Sequence, residues 1–236
     1  MTYGLAIVGH GKMGRLIEQL APEYGFDVRV ALNSGTNTCC AGLTRENLHG
    51  VDAAVEFSTP STAAQNIRQL AALGVPVVAG TTGWLHELPC VREAVQSDGG
   101  ALVWSPNFSV GVYRFRQIIT QAARAFAAEH EYEAWGWEIH HGAKRDAPSG
   151  TLLAVAEEMK QAGFERTINL SANRAGAHSG THEIGFDSSA DTITIRHTAR
   201  SREGFARGAL RAARWIMGKN GVFEFREIVN ELGSDL

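Results

Sequence analysis

The residues best equipped for chemistry crowd into one stretch, EIHHGAKRDAPSGT, from Glu138 to Thr151. His140 and His141 are adjacent, Lys144 follows, and DAPSGT has the form of a helix entry. Pro148 has its φ pre-set for a first helical turn, and Ser149 or Asp146 offers a capping oxygen. Gly150 and Thr151 then present N–H groups at the positive end of the helix dipole. Imidazole, ammonium and free amides together suit an anion, a carboxylate above all. On a strand His140 and His141 point to opposite faces unless the chain turns at Gly142. A histidine titrates near working pH, which suits it to general acid–base chemistry.

A second group lies near the N-terminus. GHGKMG comprises Gly9, His10, Gly11, Lys12, Met13 and Gly14, a G-x-G-x-x-G loop after an apolar run and ahead of a helical pattern. In that setting Gly9 serves a tight turn, Gly11 lets a pyrophosphate approach the backbone, and Gly14 lets helix and strand pack closely. Without that context the motif is only a strand-to-helix turn. About 20 residues on, where an acidic residue selects NAD, stand Asn33 and Ser34. Asparagine bonds a ribose hydroxyl without repelling a 2′-phosphate, and Lys12 and Arg15 are near in sequence. The expected cofactor is therefore NADPH, NADH or both. Two later strand ends, AGTTGW and SPNF, offer Gly80, Thr81 and Thr82, then Ser105, Pro106, Asn107 and Phe108, as the nicotinamide side of the site. These residue types also favour ordinary turns.

Metal binding is not expected. His178 and His182 stand four apart in HSGTH, but Gly180 and the β-like residues after it oppose a helix, and no carboxylate or cysteine completes a set. Cys39, Cys40 and Cys90 are a poor disulfide framework, which fits a reducing cytoplasm. The N-terminal residues lack the pattern of a secretory signal. A net charge of -3 gives no reason to expect nucleic acid or an anionic membrane as partner. No apolar run approaches the roughly 18 residues of a membrane span.

The elements that must position these groups alternate in the first half. Strands are expected at 3–9, 27–32, 52–57, 75–81 and 101–105, with helices after Gly11, over 58–74 and over 86–97. This is the pattern of an α/β, Rossmann-type parallel sheet. After Pro106 it changes to a long helix over 109–130, a strand over 132–141, a helix over 148–163 and three strand-like runs. The last two of these look like a hairpin. That is a second, α+β domain with a mostly antiparallel sheet. A final helix over 204–218 and an apolar tail are expected to return to the first domain. The expected division is 1–108 with 205–236 for the dinucleotide, and 109–204 for substrate binding. Hinge closure is expected near Phe108 and Arg202–Gly204.

GHGKMGR, EFSTP, AGTTGW, SPNFSVGV, EIHHGAKRDAPSGT and ARSREGFARGAL, in this order, resemble the 4-hydroxy-tetrahydrodipicolinate reductase (dihydrodipicolinate reductase) family of lysine and diaminopimelate biosynthesis. The resemblance implies NAD(P)H-dependent reduction of a cyclic dicarboxylate with loss of water. It makes His140 the proton donor and acceptor and Lys144 a second donor. His141, Lys144, Gly150 and Thr151 would bind the substrate carboxylates. Gly9 to Met13, Gly80 to Thr82 and Ser105 to Phe108 would line the cofactor, and a homotetramer would form through the second domain's sheet. Bound carboxylates are expected to raise the pKa of His140 and Lys144. Many members carry a longer glycine loop, and longer members often have arginine where Thr59 stands; both departures bear on cofactor preference. Two other readings are another two-domain Rossmann dehydrogenase and a non-catalytic NAD(P)H sensor.

Overall fold

The computed structural model describes residues 2–232; the end of the expected first-domain span, 233–236, lies outside them. Two compact units divide the chain at Ser109/Val110 and Arg202/Glu203.

The first unit opens with β1 (Tyr3–Val8), α1 (Lys12–Leu20), β2 (Phe26–Leu32), β3 (Ala53–Glu56), α2 (Pro60–Ala72), β4 (Val77–Ala79), α3 (Leu88–Ser97) and β5 (Ala101–Trp104). The strands are short apolar runs because helices cover both of their faces. Leu5, Ala6, Ile7, Val77, Val78, Leu102 and Val103 are all fully buried. Gly74, at φ +76°, ends α2 in the left-handed region. The N–H of Val75 reaches back to the Leu70 carbonyl at 3.0 Å, which satisfies an orphan acceptor of the helix end. The expected helix over 86–97 is split: a 3₁₀ turn over Leu85–Glu87 precedes α3.

The second unit contains α4 (Val110–Phe126), β6 (Glu133–His140), α5 (Gly150–Gln161), β7 (Ile168–Arg174), β8 (Thr181–Asp187) and β9 (Thr192–Thr198). Its sheet runs β7-β6-β8-β9. The β6–β7 pair is parallel, while β6–β8 and the β8–β9 hairpin are antiparallel. Along β6, Ala134, Gly136, Glu138 and His140 are buried, and Trp135, Trp137 and Ile139 are only partly so. The period of two sorts the strand into a helix-facing and an open side. A Cβ on Gly136 would lie 2.7–3.1 Å from Leu170, Ile184 and Leu152. The core beneath is formed by Phe115, Ile119, Leu152, Val155, Met159, Phe164, Ile184 and Phe186.

The chain then returns to the first unit as α6 (Glu203–Ile216), β10 (Gly221–Glu224) and α7 (Phe225–Ile228). The apolar tail is more ordered than expected. Val222 and Phe223 lie in a sixth strand, parallel to β5, and the complete sheet runs β10-β5-β4-β3-β1-β2. Among the described residues no helix is long and apolar enough to cross a membrane.

Candidate active site

In the first unit, the sheet order places β3 and β2 on opposite sides of β1. The connection reverses direction there, and such switch points open a crevice at the carboxyl ends of the strands. The Gly9–Gly14 loop leaves β1 at that place. Gly9 has φ +99°, and a Cβ on it would strike the Phe57 carbonyl at 2.2 Å. A Cβ on Gly14 would meet the Gly9 carbonyl at 2.4 Å. Gly11 differs, since a Cβ there meets nothing within 4 Å. Gly11 is also the N-cap of α1, with no side-chain cap on the helix amides. An open approach to uncapped N–H groups at a helix start fits a pyrophosphate. Lys12 is exposed, Met13 is partly so, and the His10 ring bonds Glu18 at 2.7 Å.

At the end of β2, Asn33 is exposed, and its Oδ1 accepts from the N–H groups of Gly35 (2.8 Å) and Thr36 (3.2 Å). That bonding shapes the turn. Ser34 is exposed, and its carbonyl accepts from Thr38. The free thiols of Cys39 and Cys40 follow. Asn66 braces this loop: Asn37 Nδ2 and Cys40 Sγ both donate to its Oδ1, and its own Nδ2 donates to Glu56 Oε1 at 3.3 Å. Glu56, at the end of β3, is fully buried. Burial pushes its carboxyl up, against hydrogen bonds from Ser58 and Asn66. Glu56 and Asn66 were not expected as site residues; a lone carboxylate inside the apolar run AAVEF was the available signal.

The ends of β4 and β5 meet at a small cavity lined by Thr81, Thr82, Trp84, Ser105 and Pro106 among others. Thr82 and Pro106 are exposed there. Several expected ligand groups already have internal work. The Ser105 hydroxyl donates to the Asn107 carbonyl (2.6 Å), and Asn107 Oδ1 accepts from the Ser109 N–H (2.8 Å). Gly80 is small because Phe57 lies against it, 2.1 Å from where a Cβ would be. Phe108 is 1% exposed, with its ring 4.8 Å from that of Phe225. Its side chain belongs to the core, and its carbonyl packs against α6, 1.7 Å from where a Cβ on Gly208 would be, which leaves its N–H as the group a ligand could meet.

In the second unit, the opening stretch becomes the end of β6, a loop and the start of α5. Ser149 is the N-cap, and its Oγ accepts from the Leu152 N–H. Gly150 is exposed and a Cβ on it meets nothing within 4 Å, so the helix mouth is open. Thr151, His141 and Lys144 are partly exposed. Lys144 Nζ donates to both oxygens of Asp146, at 2.7 and 2.9 Å. The Lys144 hydrogen bond holds the Asp146 carboxyl below its usual range, with the Gly150 amide pulling the same way. Two donors expected to grip a substrate carboxylate thus already favour the charged form of one.

Behind this mouth lies a buried cluster. Glu138 is fully buried; its Oε1 accepts from the Ser149 N–H (2.8 Å) and Arg174 (2.6 Å), and its Oε2 accepts from the Ser149 hydroxyl. His182 Nε2 is 3.3 Å from Glu138 Oε2 and 3.2 Å from Ser149 Oγ. His140 packs edge-on against His182 at 5.0 Å, with Nδ1 enclosed 3.8 Å from Glu138 Oε1. Burial pushes Glu138 up, but the bonds from Ser149 and Arg174 outweigh it and hold the carboxyl below the ordinary range. Burial also lowers His140, against the opposing pull of Glu138, and takes His182 to about 4. His140 therefore sits below its ordinary value, whereas a bound diacid is expected to raise it.

No metal set was expected of His178 and His182. His178 is exposed, and His182 joins Glu138 and His140, one ligating atom of each lying within 4.8 Å of the others. The sequence reading missed the carboxylate in this group. Both of its oxygens are occupied by protein donors, Arg174 among them. Gly180, also missed, has φ +134°, and a Cβ there would lie 2.9 Å from His140 Nε2.

The comparisons agree along nearly the whole length. The family models for the N-terminus and C-terminus of dihydrodipicolinate reductase match residues 3–108 and 111–229. The 4-hydroxy-tetrahydrodipicolinate reductase of Christiangramia forsetii is 32% identical over 241 residues, 97% of this chain and 98% of that one. Its counterpart from Natronomonas pharaonis is 31% identical over 93% of this chain and 96% of that one. The dipicolinate-bound dihydrodipicolinate reductase from Paenisporosarcina sp. TG-14 superposes with a TM-score of 0.79 at 19% identity, over 98% of this chain and 99% of that one, a likeness of fold. With both parts matched and relatives aligned almost end to end, the chain belongs to the dihydrodipicolinate reductase family, a family of NAD(P)H-dependent oxidoreductases.

Proposed function

We propose that this chain reduces 4-hydroxy-tetrahydrodipicolinate to tetrahydrodipicolinate, with loss of water, through His140 as proton donor and Lys144 as second donor. The two other readings, another Rossmann dehydrogenase and a non-catalytic sensor, fall away with the family assignment. His141, Lys144, Gly150 and Thr151 bind the carboxylates of the diacid. The observation that carries this is the Lys144–Asp146 contact beside the open mouth of α5. An ammonium and helix-end amides there already suit a carboxylate, and a substrate carboxylate can take that place.

Bound NAD(P)H supplies the hydride. The chain's own residues hold the diacid and neutralise the negative charge that develops on it. His140 releases its proton to the substrate and regains one from solvent; Lys144 stabilises the same charge. The first unit holds the dinucleotide. Gly9 to Met13 would hold the pyrophosphate, with Gly14 setting the helix close on the strand; Asn33 and Ser34 would meet the adenosine ribose, and Gly80 to Thr82 and Ser105 to Phe108 the nicotinamide side, Phe108 through its N–H. Asn33 tolerates a 2′-phosphate, so NADPH is accepted alongside NADH; a hundredfold advantage of NADH in kcat/KM overturns this.

The second unit binds substrate and carries the surface of a cytoplasmic homotetramer. The partly exposed Trp135 and Trp137 on the open side of β6 support that surface, and light scattering that gives the mass of one chain contradicts it. The reaction itself is tested by following NADPH absorbance with freshly made substrate. His140→Ala is expected to lose about 10²–10⁴ in kcat, and Lys144→Ala to lose kcat and raise KM. Wild-type kinetics in both variants would overturn the assignment.

A further inference from the structure

Glu138 has a peculiar position. It is a fully buried carboxylate on the same strand face as His140, and it is held by four groups from three elements. A buried carboxylate is costly unless it is paired, and an apolar residue of similar size would pack there with less penalty. Simple support of the Ser149 cap does not require it, since the Ser149 hydroxyl already accepts from the Leu152 N–H. Its remaining neighbour is the enclosed Nδ1 of His140, 3.8 Å from Oε1 and without a hydrogen-bond partner. A movement on the order of 1 Å brings that pair within hydrogen-bond reach.

We infer that Glu138 is the positioning residue for His140: it holds the ring through Nδ1, leaves Nε2 for the substrate, and supplies the buried negative charge that balances the imidazolium. This rests on the assignment of His140 as proton donor. Glu138 touches no reacting atom and keeps its charge; the proton leaves from His140 alone. His182 and Ser149 fix the far oxygen, and Arg174 fixes the near one. The logic is that of a carboxylate orienting a catalytic imidazole, in which the carboxylate fixes the tautomer and stabilises the cation.

The charged and titratable groups facing His140 are Glu138 from its own strand, Lys144 and Asp146 from the loop, Arg174 from β7 and His182 from β8; His197 of β9 faces His182 in turn. Of the groups whose charge acts on His140, Glu138 and Asp146 favour the imidazolium, while Lys144 and Arg174 oppose it. Removing the Glu138 charge also leaves Arg174 less balanced, so both consequences lower the pKa of His140.

Two measurements test this. In Glu138→Gln, the alkaline limb of kcat/KM, read with the reductase substrate, is expected to move down by about one pH unit or more. Glu138→Asp is expected to restore it toward wild type. An unchanged limb in Glu138→Gln overturns the inference while leaving His140 as donor. If the glutamine variant does not fold, the wild-type protein carries the test through ¹⁵N chemical shifts of its histidines. Neutral His140 is expected as the Nδ1–H tautomer, and the Nε2–H tautomer contradicts the inference. Full turnover by His140→Ala instead overturns the reading of the site on which the inference rests.

Discussion

At the residue scale, the pocket wall is made by what a position lacks as much as by what it carries. Gly180 is the clearest case. Its φ of +134° is a conformation side chains rarely adopt, and a Cβ would lie 2.9 Å from His140 Nε2. Gly180→Ala is therefore expected to cost more than about 1 kcal/mol of stability. It should also displace the His140 ring, lowering kcat more than it raises KM. Thermal melts read the first effect and NADPH-coupled kinetics the second; a variant with wild-type kcat would show that the ring has room to spare.

At the element scale, the two glycines that flank α1's first turn have opposite reasons to be glycine. Gly14→Ala places a methyl 2.4 Å from the Gly9 carbonyl, so helix and strand must separate, and a lowered melting temperature is expected. Gly11→Ala meets no protein atom within 4 Å. It is expected to cost only the roughly 0.5–1 kcal/mol of a poorer N-cap, less than Gly14→Ala, while raising the dissociation constant for NADPH several-fold in a fluorescence titration. Unaltered NADPH affinity in Gly11→Ala would remove the pyrophosphate from that loop. Elements of this kind were legible in the sequence because their signals are local. Apolar runs, a glycine stop at Gly74 and a Ser149 cap each lie within a few residues of the structure they specify. β10 was not legible: it has four residues, and its partner β5 lies some 120 positions earlier. The buried half of the site was hidden for the same reason. Glu138 and His140 share a face by their spacing of two, but His182 reaches Glu138 only through the antiparallel register of β6 and β8. Arg174 sits beside His140 only through the parallel register with β7.

At the scale of the whole molecule, the histidine cluster makes stability depend on pH. His140, His182 and His197 all have folded-state values pushed down, burial being the first cause for each. The unfolded chain, with values near 6.5, takes up these protons first. Stability is therefore complete above about 6.5 and declines as pH falls toward the folded values, for His182 between 6.5 and about 4. Glu138, also lowered, adds a further loss below its ordinary value of 4.5. By pH 5 His182 alone accounts for on the order of 1–2 kcal/mol, a few degrees of melting temperature. A His182→Gln protein, which cannot take up that proton, is expected to decline less steeply; equal slopes would remove His182 from the account.

The account turns on where the substrate's negative charge is held. A crystal of the protein grown with NADPH and soaked with pyridine-2,6-dicarboxylate addresses this directly. One carboxylate is expected against Lys144 Nζ and the amides of Gly150 and Thr151, with Asp146 displaced from Lys144. A diacid bound elsewhere, with the Lys144–Asp146 pair intact, would contradict it.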